Sequence, residues 1–177
     1  MLSIGDQFPQ YSLKAVSSTD GQFPVRTNAS SNGRWQIYVF WPKDFTFVCP
    51  TEIVGFDGLV SEFSDREADL IGASTDSEFV HLAWRKSRED LAKVRFPWLS
   101  DIRKDLSRAL GILEPTEEVS RRATFIVDPQ GVIRFASVTD MSVGRNPQEV
   151  LRVLDALQTD ELCPCNWKPG QETIHVG

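Results

Sequence analysis

The sequence predicts an α/β protein in which a mixed central sheet is flanked by helices. The first sign is the run at residues 35–41, reading WQIYVFW. A run so rich in β-branched and aromatic side chains, without polar alternation, fits a central strand buried on both faces. The second is the alternation of strand and helix patterns that follows. Over residues 50–63, Ile53, Phe56, Leu59, Val60 and Phe63 fall at helical spacing, and Pro50 suits a first turn, where its missing N–H costs nothing. Residues 68–73 read as another buried strand, and 77–88 as a helix with Phe79, Leu82 and, at its margin, Ala83 inward. The third is a hairpin signal, in which 125–127 and 132–137 flank Asp128, Pro129, Gln130 and Gly131, residues that favour a tight turn. A last helix at about 147–157 turns Val150, Leu151, Val153, Leu154 and Leu157 to one side, and the chain beyond it reads as irregular. The polar stretch 27–33 reads as a surface loop.

The resulting β-α-β-α-β-β-α order places parallel units in the centre and an antiparallel hairpin at one edge, the order of a thioredoxin-like fold. At 177 residues, 41% of them hydrophobic, the chain suits one core and is short for two. The expectation is a single domain over 1–177, with 161–177 as a C-terminal tail. The net charge is -6, and its Lys and Arg are dispersed. That leaves no basic footprint for a nucleic acid or an anionic membrane, so neither is an expected partner. The first residues lack the basic and apolar regions of a secretory signal, and no run approaches the ~18 apolar residues of a membrane span. A soluble, cytoplasmic protein is expected.

Three cysteines in a reducing compartment do not make a disulfide scaffold. A free cysteine is most often a small buried hydrophobe, and position decides whether it is more. Open α/β sheets carry their chemistry beyond the carboxyl ends of the strands, where helix N-termini face the crevice. Cys49 falls there, after WQIYVFW and just before the helix at Pro50. The helix dipole and unpaired amides at such a place stabilise a thiolate. A free thiol of pKa ~8.5 is a few per cent ionised at neutral pH, so ionisation alone supplies only a modest gain, partly returned as lower nucleophilicity. Fast thiolate chemistry therefore needs donors that hold the substrate and stabilise the charge developing on its leaving group. Thr46 can offer the hydroxyl, and Arg121, Arg122 or Arg145 the cation.

The segment WPKDFTFVCPTE at 41–52 resembles the peroxidatic loop of typical two-cysteine peroxiredoxins, P-x-x-x-T-x-x-C, here Pro42, Thr46 and Cys49. Further segments match in the same order: DSEFVHLAW at 76–84, FPWLSD at 96–101, SRRATFIVD at 120–128, VGRN at 143–146 and CPCNWKPG at 163–170. Within that family the chain is similar to the bacterial alkyl hydroperoxide reductase (AhpC) type, and DELCPCNW is similar to the mycobacterial-type branch with three cysteines. The resemblance implies a thioredoxin-like fold with peroxiredoxin extensions and reduction of hydrogen peroxide and organic hydroperoxides. It implies Cys49 as the nucleophile, Pro42 as a shield, and Thr46 and Arg122 as the groups touching sulfur and peroxide. Glu52 and Arg145 support the arginine in relatives. Cys163 takes the resolving position, acting from the other protomer of a dimer, and Cys165, at a variable position, is a candidate redox relay. A mobile tail and local unfolding of the first turn around Cys49 are implied by the need for the two sulfurs to meet. No metal, haem or flavin is implied. The implied partners are a dithiol reductant protein (thioredoxin-like, AhpF-like or AhpD-like) and a second copy of the chain, in a homodimer that assembles into a decamer or larger ring.

Single residues have plainer readings. Thr46 can cap a turn, Glu52 can favour a helix first turn and Arg122 can be a strand-edge charge; their joint occurrence in one ordered pattern favours the functional reading. His81 reads as a helix-surface residue and His175 as a tail residue, neither with a ligand partner at metal spacing. A thioredoxin-type dithiol reductase needs cysteine where Glu52 stands, which weighs against it, and a holdase built on the same scaffold is separated by peroxide turnover. The chain also runs LGILEPTEEVSRR at 110–122, without the G-G-L-G insertion of overoxidation-sensitive relatives, and it carries no C-terminal Y-F helix. Less packing then holds the Cys49 turn folded, so disulfide formation should outrun sulfinic acid formation. Turnover under excess peroxide should leave little sulfinic Cys49, about +32 Da by mass spectrometry; inactivation at sub-millimolar peroxide is the contrary result.

Overall fold

The computed structural model describes residues 1–31 and 33–176; Asn32, in the polar stretch 27–33, and Gly177 lie outside them. In chain order the described residues form β1 (Ser12–Val16), β2 (Val25–Thr27), a 3-10 turn (Asn28–Ser31), β3 (Trp35–Phe40), α1 (Cys49–Asp57), α2 (Val60–Asp65) and β4 (Ala68–Ser74). There follow α3 (Glu78–Ser87), α4 (Glu89–Ala92), β5 (Trp98–Ser100), α5 (Asp105–Leu110), β6 (Arg122–Val127), β7 (Ile133–Thr139) and α6 (Pro147–Thr159). The strands lie in the order β2-β1-β5-β4-β3-β6-β7. Pairs β3/β4 and β4/β5 are parallel, and the others are antiparallel. The sheet is mixed, as expected, with β3 near its middle and the β6–β7 hairpin at one edge.

Burial on both faces explains the unbroken apolar strands. On β3 and just beyond it, Ile37, Val39 and Trp41 belong to one core cluster with Ile53, Phe56, Phe63 and Leu154. Tyr38 and Phe40 face the opposite cluster, with Phe8, Phe125, Leu106 and Leu110. Successive side chains of a strand point to opposite faces, so both sets must be apolar. Helices α1, α2, α4 and α6 and Trp84 of α3 fill the first side, while α5 and the N-terminal segment cover the second.

Several elements depart from the sequence reading. The helix expected over 50–63 is two helices: α1 begins at Cys49 itself, and the chain breaks at Gly58 and Leu59 before α2. Glycine's low helix propensity allows that break. Helix α3 turns a different face inward: Phe79 is 65% exposed and Ala83 exposed, whereas His81 and Arg85 are fully buried. His81 is therefore not a surface residue. Polar partners meet both terminal nitrogens of Arg85, which donates to the carbonyls of Val94 (2.8 Å) and Phe96 (2.7 Å) and stacks over the Trp98 ring, while its Nε has no partner. A pattern that counts only apolar residues cannot find such a face. The short elements β1, β2, β5, α4 and α5 were not anticipated, being too brief to show a period.

The segment after α6 is not loose. The Ile174 N–H donates to the Leu162 carbonyl at 2.8 Å, closing residues 162–174 into a loop, and Trp167 inside it is 5% exposed. Arg152 of α6 donates to the Trp167 carbonyl at 3.0 Å.

Gly72 on β4 marks the tightest approach in the sheet. A Cβ there would stand 2.6 and 2.9 Å from ring atoms of Trp41 and 3.0 Å from Phe96. Trp41 is fully buried and fixed by its indole N–H on Asp44, so the ring has little room to give. Gly72→Ala is expected to destabilise the fold by about 1–3 kcal/mol, the usual cost of overpacking. Urea unfolding measures it, and an unchanged midpoint would show that the ring can move.

Candidate active site

The chain leaves the sheet at Trp41, whose N–H still bonds to the Ala73 carbonyl at 3.0 Å, and crosses to α1 through residues 42–48. Asp44 pins this loop. Its carboxylate accepts the Trp41 indole N–H at 2.7 Å and meets His81 Nδ1 at 2.6 Å, while its own N–H donates to Asp76 at 2.8 Å. Phe45 follows at φ 57°, in the left-handed region that bulky residues rarely enter. The loop so held directs Thr46 back toward the helix start.

Cys49 is the first residue of α1, and its side chain is fully buried. Two donors converge on the sulfur: Thr46 Oγ1 at 3.0 Å and Arg122 Nη1 at 3.2 Å. One helical turn further on, Glu52 lies on the same face. It accepts from Arg122 Nη1 at 2.6 Å and from Arg145 through the backbone N–H at 2.8 Å, Nε at 2.8 Å and Nη2 at 3.0 Å. Burial alone would push the Glu52 carboxyl up; the hydrogen bonds and charge of Arg145, with the charge of Arg122, outweigh burial and hold it below the ordinary glutamate value. Two buried cations against one carboxylate leave one positive charge in excess, and the sulfur beside Arg122 is where a thiolate would balance it. Arg121, the neighbouring candidate cation, points to solvent.

A pocket of about 260 Å³ opens beside the sulfur, lined by Pro42, Thr46, Phe47, Val48, Arg122 and Met141, with Lys43 and Glu117 paired at its rim. Thus Pro42, Thr46, Cys49, Glu52, Arg122 and Arg145 come together at one place. The tail cysteines do not join them: Cys163 is half-buried against α6, Cys165 is exposed, and all three thiols are free. Sequence reasoning missed the Asp44–His81 pair, which carries no motif of its own, and the Met141 carbonyl, which accepts Arg122 Nε at 2.7 Å and has no side-chain signature at all.

Residues 4–136 match the model of the AhpC/TSA family, and 157–176 match a model described as the C-terminal domain of 1-Cys peroxiredoxin. The chain belongs to the AhpC/TSA family of thiol peroxidases. Alkyl hydroperoxide reductase C of Mycolicibacterium smegmatis is 52% identical, over all of this chain and 95% of that protein. The protein of the same name from Mycobacterium tuberculosis is 51% identical over the same shares. Among solved structures, Mycobacterium tuberculosis AhpC superposes with a TM-score of 0.87 at 52% identity, covering 95% of this chain and 99% of that one. Reduced Plasmodium vivax 2-Cys peroxiredoxin gives a TM-score of 0.90 at 32% identity, over 96% and 91%. In this peroxiredoxin the segment matched to the 1-Cys model holds both Cys163 and Cys165. Among the described residues no helix is long and apolar enough to cross a membrane.

The lowered carboxyl of Glu52 makes a pH prediction. A depressed folded-state pKa contributes stability that is fully present above the unfolded value, roughly 4.3, and is lost as pH falls through the folded value. Glu52→Gln should cost roughly 3–5 kcal/mol at neutral pH, because two buried guanidiniums lose their counter-charge. It should also flatten the fall of the urea midpoint below the ordinary carboxyl range. Equal acid slopes in the parent and the variant would refute the assignment.

Proposed function

We propose that residues 1–177 form one domain that reduces hydrogen peroxide and organic hydroperoxides through Cys49. The observation that carries this reading is the convergence of the Thr46 hydroxyl and the Arg122 guanidinium on the buried Cys49 sulfur. The Cys49 thiolate attacks the terminal oxygen of the hydroperoxide; an S–O bond forms, the O–O bond breaks, and the leaving alkoxide or hydroxide takes up a proton. Cys49 is left as a sulfenic acid. Thr46 and Arg122 aim their donors at the oxygens where charge develops. Pro42 walls the sulfur from bulk water, and Glu52 and Arg145 fix the guanidinium.

Cys163 of the partner subunit then attacks the sulfenic sulfur. The S–S bond forms as the S–O bond breaks, and the oxygen leaves as water with the proton from the attacking thiol. Cys49 is buried and Cys163 lies against its own α6, so both the first turn of α1 and the tail loop have to open for this step. A dithiol protein, thioredoxin-like, AhpF-like or AhpD-like, returns the disulfide to thiols by two exchanges, with exposed Cys165 as a relay to the surface. An antiparallel homodimer, built up to a decamer or larger ring, brings the tail to the partner's site. A reducing compartment, the cytoplasm, suits a cycle that must regenerate its thiols.

Cys49→Ser should abolish peroxide consumption while the fold persists, because a hydroxyl is scarcely ionised. Arg122→Ala should slow the peroxide step by ~2–4 kcal/mol of barrier, the range for one oxyanion donor. Stopped-flow rates decide both, and substantial turnover by the serine variant would overthrow the reading. Peptide mapping after one equivalent of peroxide should find Cys49 linked to Cys163; a predominant link to Cys165 would exchange the roles of the tail cysteines.

A further inference from the structure

Asp160, just past α6, adopts the left-handed conformation at φ 55°. Such a residue reverses the chain at a helix end, and here it folds Cys163 back over the last turn. The Thr159 hydroxyl sits between them. Its Oγ1 donates to the Ala156 carbonyl at 2.8 Å and accepts the Glu161 N–H at 3.1 Å. The Cys163 sulfur lies 3.4 Å from that same oxygen and 3.8 Å from the Ala156 carbonyl. The sulfur is thus held between the Thr159 hydroxyl and the carbonyl of the last turn of α6.

We propose that Thr159 is a positioning residue for the resolving step: its hydroxyl docks the Cys163 sulfur on the end of α6 and so withholds the nucleophile until the tail undocks. This rests on the reading of Cys163 as the resolving thiol. Attack on the partner's sulfenic sulfur needs the Cys163 sulfur to leave the surface of α6, where the dock holds it. Undocking frees the sulfur to travel, which couples the second chemical step to a local opening of the 162–174 loop. The dock thereby sets how long the Cys49 sulfenic acid survives before it becomes a disulfide.

The test uses the full chain with Thr159→Val, which keeps the shape of the side chain and removes its hydroxyl, and Thr159→Ser, which restores it. Iodoacetamide labelling of the reduced protein, followed at the Cys163 peptide, should be faster in the valine variant by roughly two- to tenfold, the value of one hydrogen bond. It should return to the parent rate in the serine variant. After a peroxide pulse, the disulfide-forming phase should accelerate in the same order. Labelling of reduced Cys163 does not depend on which cysteine resolves, so faster labelling with an unaltered disulfide phase would leave the dock intact but overturn its role in resolution. Peptide mapping then shows separately whether Cys163 resolves at all. Unchanged labelling would refute the dock. Hydrogen exchange at Ile174 is the structural control: faster labelling accompanied by loss of its protection would mean that the loop had simply come apart, and would also refute the proposal.

Discussion

The arrangement depends most on one buried carboxylate. Glu52 draws two guanidiniums out of water, Arg122 from the start of β6 and Arg145 from the loop before α6, and neither could be buried there without a counter-charge. Arg145 also donates to the Ala123 carbonyl at 2.8 Å, tying that loop to β6. The next residue, Asn146, caps α6 through the Gln148 N–H at 3.0 Å. The helix bearing Cys49, the strand bearing the second donor and the start of the last helix thus meet at a single charge cluster. The sulfur at its edge is met by Thr46 from the loop before α1 and by Arg122 from β6.

Helix α6 links this cluster to the second thiol. Its N-terminus is anchored beside Arg145, and its C-terminal turn holds Cys163 through Thr159 and Ala156. Two-thiol peroxide chemistry as proposed makes opposed demands: the sulfurs must stay apart while peroxide reacts and come together afterwards. The native packing keeps them apart, with Cys49 buried behind residues 42–48 and Cys163 held against α6. On the proposed reading the second demand is left to local opening of two short segments, the first turn of α1 and the tail loop. The first turn of α1 has no side-chain cap, and the tail loop is closed by the Ile174–Leu162 bridge, the Thr173 hydroxyl on Glu161 and buried Trp167, whose carbonyl accepts from Arg152.

The loop over Cys49 is rigid underneath and open above. Below it, Asp44, His81 and Trp41 form a buried polar knot, with His81 Nε2 at 3.2 Å from the Leu99 carbonyl. Above it, Phe47 is 94% exposed. The inner side places Thr46, and the outer side leaves the pocket beside the sulfur open.

The sequence by itself determined the sheet's central strands, the α/β class and the location of Cys49 at a helix start. Residues 35–40 and 68–74 had to be apolar on both faces to lie inside a covered sheet, and such constraints leave a pattern in the chain. The P-x-x-x-T-x-x-C spacing likewise placed Thr46 on the short loop that leads into the helix at Cys49, where local geometry suffices to bring them together. What only the tertiary structure decided lies far apart in the chain. Arg122 reaches Cys49 across 73 positions and Arg145 reaches Glu52 across 93. Resemblance named these residues, but distance and burial come only from packing. The Met141 carbonyl and the buried face of α3 were invisible for the same reason: a backbone acceptor has no residue identity, and a polar side chain is buried only where other elements supply its partners. The docking of Cys163 is a case in between, since its partner Thr159 is four residues away, yet it required the left-handed turn at Asp160 that only the folded backbone revealed.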